Sequence, residues 1–264
     1  MGQLVLREVS DDGIAIITLN HPEKRNALSR EMLSALLEHL DQSAADENIK
    51  AVIINANGPV FSAGHDLREL VAGSKSEYES LFEICTDVME SIRTLRQPVI
   101  AQVHGVATAA GCQLVASCDL VVASDNATFA TPGVKIGLFC TTPAVALVRA
   151  IMPKKALEML LTGDPISAHE AQQFGLVNRV VAADQLTEAT LTLARQIAAS
   201  SAEIIALGKQ AFYEQLPLDY PQAYEVAQKT MVHNAQMDDA QEGMKAFLEK
   251  RKPRWKSDRS LQSH

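Results

Sequence analysis

Two segments of this chain share one grammar: an apolar run that reads as a strand, a turn built from small residues, and then a helix. They are Phe61-Ser62-Ala63-Gly64-His65-Asp66-Leu67 and Gly105-Val106-Ala107-Thr108-Ala109-Ala110-Gly111-Cys112-Gln113. Small residues let a ligand approach the backbone closely, and the first N–H groups of a helix have no intrahelical acceptor. Two such turns can therefore converge on one carbonyl oxygen as it gains negative charge. The plain alternative is two ordinary strand-to-helix turns. Either way, repetition of strand, tight turn and helix confines the chain to an α/β core.

The rest of the pattern fits that core. Residues 4–9 and 14–19 are apolar or alternating around Asp12-Gly13 and predict a hairpin. Ser29 caps a predicted helix in which Leu33, Leu36, Leu37 and Leu40 recur at helical spacing. Strands are expected at 51–54, 99–103, 119–123, 128–130 and 178–181, and helices at 75–96, 142–150, 154–162 and 167–174. Pro98 ends the longest of these. From residue 184 the pattern turns helical over 184–200, 202–216, 220–233 and 239–251, with no Gly/Ser-rich linker, so this part is expected to pack rather than swing freely. The tail, 256–264, is polar and expected to fray.

With 264 residues, 47% hydrophobic and 21% charged, the chain can bury a large core. A net charge of −8 gives no electrostatic support to general nucleic-acid binding. The apolar stretch 138–152 is too short to span a bilayer and contains Arg149. Glu8, Asp11 and Asp12 near the start do not fit a basic leader, and the expectation is a soluble cytoplasmic protein. Cys85, Cys112, Cys118 and Cys140 form no CxxC pair and read as buried free thiols, and the seven histidines show no metal-ligand spacing. No metal and no tightly bound cofactor is expected.

The two turns, the downstream run Phe129-Ala130-Thr131-Pro132-Gly133-Val134-Lys135-Ile136-Gly137-Leu138, and flanking segments at 20–28 and 242–253 come in one order that resembles the crotonase (enoyl-CoA hydratase/isomerase) superfamily. The resemblance spans nearly the whole chain. It implies an α/β spiral of ββα repeats over residues 1–200 and a C-terminal helical region over 201–264 that makes trimers, which pair into hexamers. It implies an acyl-CoA ligand, with coenzyme A present as part of the thioester substrate. The oxyanion donors map to the backbone N–H groups of His65 and Ala110, and the chemistry implied is stabilisation of a thioester enolate.

The same resemblance locates two departures. Hydratases of the family carry glutamates where this chain has Gln113 and Gly133. An amide and a hydrogen atom cannot serve as general base or acid near neutral pH, so enoyl hydration is expected to be weak or absent. Two other readings stand beside it: a decarboxylase similar to methylmalonyl-CoA decarboxylase, which has a comparable Phe-Ser-Ala-Gly-His-Asp segment, and a non-catalytic acyl-CoA-binding regulatory protein. In the decarboxylase comparison, Cys140 replaces a tyrosine.

Individual residues keep alternatives. The His65 imidazole either bonds a carboxylate or shuttles a proton, or only its amide matters. Gln113 orients substrate or water, or satisfies buried backbone. Gly133 makes space for an acyl group or permits a turn after Pro132. Asp66 is a cap or a substitute acid or base. Asp119 reads as structural, and Tyr213, Tyr220 and Tyr224 as helix-packing residues. Lys24 and Arg25 suit the phosphates of coenzyme A, with backbone near Ala27 and Ala63 holding adenine and pantetheine and Asp66 and Leu67 alongside. Phe247 and Lys250 match a segment that in similar proteins covers the nucleotide end, sometimes across a subunit boundary.

Overall fold

The computed structural model describes residues 2–71 and 73–256. The hairpin forms as β1 (Val5–Val9) and β2 (Ile14–Leu19), and α1 (Arg30–Ala45) follows, with the Ser29 hydroxyl accepting the Met32 N–H. Next come β3 (Ala51–Ala56), β4 (Val60–Ser62), α2 (Lys75–Thr94), β5 (Val99–Val103), β6 (Val106–Thr108) and α3 (Ala110–Ser117). Then come β7 (Leu120–Ser124), β8 (Thr128–Ala130), α4 (Thr141–Ala150), α5 (Pro153–Thr162), β9 (Ile166–Ser167), α6 (Ala168–Phe174) and β10 (Arg179–Val181). The chain then turns helical: α7 (Leu186–Ala198), α8 (Ala202–Gln215), α9 (Tyr220–Gln236) and α10 (Asp238–Leu248). The expected frayed tail lies outside the described residues beyond Lys256.

Two sheets organise these strands. One has the order β1-β2-β3-β5-β7-β10 and the other β4-β6-β8-β9. Each repeat contributes its first strand to the large sheet, its second to the small sheet, and then a helix: β3-β4-α2, β5-β6-α3, β7-β8-α4. This is the expected spiral of ββα units. Pairing is parallel throughout the repeats and antiparallel in β1/β2 and β8/β9.

The central strands are apolar without a polar face because both faces are covered. In β3 and β5, Val52, Ile54, Val99 and Ala101 enter the main core, while Ala51, Ile53 and Ile100 face Leu186 and Ala194 of α7 on the other side. The period of two is present, but it sorts residues between two apolar layers rather than between core and water.

The C-terminal helices are tied to the sheet by a buried ionic cluster. Lys209 Nζ of α8 donates to Asp119 Oδ2 at 2.6 Å and to the carbonyls of Ile92 and Gln97, and the Tyr213 hydroxyl donates to Asp119 Oδ1 at 2.8 Å. Asp119 Oδ2 also accepts the Val99 N–H at 2.6 Å, which fixes the start of β5. The structural reading of Asp119 therefore holds. Of the three tyrosines, Tyr213 is half-buried and bonded into this cluster, whereas Tyr220 and Tyr224 are 82% and 65% exposed.

Candidate active site

Asn26 anchors the first turn from below. It is fully buried, with a left-handed backbone (φ 49°) that asparagine tolerates. Its side chain accepts the His21 N–H and donates to the carbonyls of Asn57 and Val60. Its own carbonyl accepts the Ser62 hydroxyl at 2.9 Å. Arg25 O accepts the Ala63 N–H and Gly64 O accepts the Leu28 N–H, so 25–28 and 62–65 are laced together.

The two small-residue turns meet at Gly64. Its φ is +86°, and a Cβ there would lie 2.8 Å from Ala109 Cβ, 3.0 Å from Thr108 O and 3.2 Å from Ala110 N. A residue with a side chain would push the turns apart. Ala109 itself adopts φ 53°, ψ −120°, a region that disfavours any residue with a Cβ and that costs on the order of 1–3 kcal/mol. Its N–H is held by Ala130 O at 2.9 Å. That turn makes Ala110 the first residue of α3, where its N–H has no intrahelical acceptor. Among the described residues neither the His65 N–H nor the Ala110 N–H is given to any backbone acceptor. Two free donors thus stand on either side of one glycine.

Around them, the His65 ring nitrogen Nδ1 bonds Leu28 O at 3.0 Å, and Phe82 of α2 meets the ring edge-on at 5.5 Å. Burial depresses the basicity of the imidazole, so it is neutral near pH 7. Gln113, three residues beyond Ala110, is buried with Oε1 unpartnered, and Thr131 Oγ1 is likewise buried and unpartnered. Asp66 caps the short turn Leu67–Glu69, accepting from Arg68 N–H, Nε and Nη2. Hydrogen bonds from Arg68 hold its carboxyl below the usual carboxylate range, which supports the capping reading.

The φ of Gly133 does not call for glycine, but the space beside it does. A Cβ there would fall 2.7 Å from both Cys140 Sγ and Leu138 O, because residues 138–140 fold back over it. Its N–H points at Cys140 Sγ (3.3 Å) and its carbonyl takes the Leu138 N–H (2.9 Å). All four cysteines are buried free thiols. Desolvation pushes the Cys85 and Cys112 thiols up to about 12 and raises Cys118 and Cys140 as well, so none is a ready thiolate.

Lys24 and Arg25 are exposed on the short turn beside this site, and the Lys24 charge is felt at Asp66. The structure thus brings together Lys24, Arg25, Ala27, Ala63, His65, Asp66 and Ala110, with Leu67 half exposed at the edge. Phe247 and Lys250 are not brought to this group: they lie at the end of α10, which packs on α8 and α9, and Phe247 is 83% exposed. Asn26, Ala109 and Phe82 escape a sequence reading. The signals were a buried-type Asn in Arg-Asn-Ala, and Tyr78 and Phe82 one helical turn apart.

Comparison with known proteins agrees with this architecture. Residues 10–258 match the enoyl-CoA hydratase/isomerase family. Enoyl-CoA hydratase domain-containing protein 3, mitochondrial, from Rattus norvegicus is 52% identical over 245 residues, 92% of this chain and 82% of the relative. The crystal structure of the human protein of that name superposes with TM-score 0.93 at 50% identity, covering 96% of this chain and 100% of the other. An enoyl-CoA hydratase of Mycobacterium smegmatis gives TM-score 0.93 at 49% identity, covering 96% and 98%. The rat relative is named as mitochondrial, in contrast to the cytoplasmic expectation for this chain. This chain belongs to the enoyl-CoA hydratase/isomerase, or crotonase, family.

Proposed function

We propose that this protein binds an acyl-CoA thioester and stabilises its enolate through the backbone N–H groups of His65 and Ala110. The observation that carries the reading is the meeting of two free donors across Gly64, where a Cβ would come within 3.2 Å of Ala110 N. Fixed donors aimed at one oxygen favour the state in which that oxygen becomes charged. Lys24 and Arg25 supply cations for the phosphates of coenzyme A, with Ala27, Ala63, Asp66 and Leu67 beside the pantetheine path. No cluster of three or more His, Cys, Asp or Glu side chains that could hold a metal occurs among the described residues.

Enoyl hydration is a poor fit. Water addition needs one group to take a proton from water and one to deliver a proton to carbon, and Gln113 with Gly133 supplies neither. Decarboxylation is also less favoured, because the ring N–H of His65 is given to the Leu28 carbonyl, which leaves none for a carboxylate. By the same family reading, residues 201–264 form the oligomerisation region of a trimer or hexamer. Phe247 and Lys250 would then reach a neighbour's nucleotide.

Calorimetry with butyryl-CoA is expected to give saturable binding, weakened when Lys24 and Arg25 are changed to alanine. Crotonyl-CoA hydration in the same preparation should run about 10²–10⁴-fold or more below an enzyme with both acid and base. Absence of binding to any of a panel of acyl-CoA thioesters, or efficient hydration, would overturn the reading.

A further inference from the structure

Buried polar atoms without a partner are uncommon in folded proteins and call for an explanation, a catalytic role among them. Here Asn55 Oδ1, His65 Nε2, Gln97 Oε1, Gln113 Oε1 and Thr131 Oγ1 are buried and unpartnered. His65 Nε2 stands out because its chemistry is fixed. The partner of Nδ1 is the Leu28 carbonyl, which can only accept, so Nδ1 carries the proton and Nε2 carries the lone pair. The edge-on contact with Phe82 adds a second restraint on the ring plane. The lone pair therefore belongs to the residue whose amide is one of the two oxyanion donors.

Competing bases around the turns are accounted for. Asp66 has both carboxylate oxygens engaged by Arg68. The Cys112 and Cys140 thiols are held protonated by burial. Gln113 has no basic atom, and Gly133 has no side chain.

We propose that His65 is a catalytic base whose Nε2 removes a proton from the carbon next to the thioester carbonyl while the His65 and Ala110 amides hold the oxygen. The C–H electron pair becomes the carbon–carbon double bond of the enolate, and the carbonyl π pair moves onto the oxygen. The proton resides on Nε2 as imidazolium. Return of a proton to the same carbon gives exchange with solvent. In a chain whose double bond lies between the third and fourth carbons, the enolate is conjugated with it, and return of the proton to the fourth carbon moves the double bond instead. No water is added and no oxidant is needed. This rests on the acyl-CoA reading above and extends it to a proton-transfer reaction class, 1,3-isomerisation without hydration.

The test is incorporation of deuterium into butyryl-CoA in D2O, read by mass spectrometry beside calorimetric affinity. The wild type is expected to label the carbon next to the carbonyl. His65→Phe and His65→Gln keep the backbone donor, and should lose labelling by about 10²–10⁴-fold with butyryl-CoA affinity within a few-fold. The charged group acting on the ring is Glu69, itself paired with Arg30, while the α2 side chain facing it, Phe82, does not titrate. Burial outweighs Glu69 and lowers the imidazole below 6.5, so wild-type labelling should persist through pH 6.5 and fall only in more acidic solution. Butyryl-CoA bound by the wild type without labelling, or variants that label at the wild-type rate, would overturn this proposal alone. Absence of butyryl-CoA binding would overturn the acyl-CoA reading and this proposal with it.

Discussion

Gly133 is held in place by what occupies the position of its missing side chain. Cys140 Sγ and the Leu138 carbonyl both stand 2.7 Å from where a Cβ would be, and the carbonyl is backbone that cannot rotate away. Gly133→Ala should therefore cost about 1–3 kcal/mol in guanidinium unfolding, and Gly133→Glu at least as much. Placing carboxylates at both positions with Gln113→Glu and Gly133→Glu should not create a hydratase, because the second carboxylate has no room. A Gly133→Ala protein as stable as the wild type would contradict this. That Gln113 and Gly133 bring no carboxylate was legible in the sequence. The reason one cannot simply be put in was not, because it lies in a fold-back of residues 138–140 that no spacing rule announces. Ala109 is a parallel case: alanine gives no hint of a backbone at φ 53°.

At the scale of elements, the Lys209–Asp119 pair decides whether α8 stays seated. Both side chains are about nine-tenths buried, and Asp119 also holds Val99 N–H and Tyr213 OH. Lys209→Met would leave a buried carboxylate without its cation, and the expected loss is about 3–5 kcal/mol in urea unfolding. A loss below about 1 kcal/mol would mean that Tyr213 and Val99 suffice. Long or strongly patterned elements were legible: the hairpin, α1, α2 and the C-terminal helices all lie within a few residues of expectation. The second sheet was read only at β8. Its other strands, β4, β6 and β9, have three, three and two residues and sit within or beside small-residue turns or helix starts, and they pair because the spiral brings them side by side.

The single chain leaves a large apolar surface on its C-terminal part. Leu216, Leu218, Tyr220 and Tyr224 line a groove of about 340 Å³ where α8 turns into α9, and Phe212, Met231 and Val232 are each more than half exposed. Patches of this kind on a soluble protein mark contact with another molecule. Under the proposed trimer or hexamer, Leu216→Glu with Tyr224→Glu should shift sedimentation toward monomer while circular dichroism stays helical. A monomeric wild type would remove the assembly proposal. The packed α/β core and the two turns were readable from the sequence. The oligomeric face was implied by resemblance, since helical periodicity does not say which apolar face meets the core and which meets a neighbour.

The claim on which the functional account depends is that two backbone N–H groups grip one thioester oxygen, and that is open to direct observation. The stretching frequency of a ¹³C-labelled thioester carbonyl in bound butyryl-CoA, measured by isotope-edited infrared spectroscopy, should fall relative to the free ligand because both donors polarise the bond. A bound thioester whose carbonyl absorbs at the frequency of free butyryl-CoA would contradict the account, whatever else the protein binds.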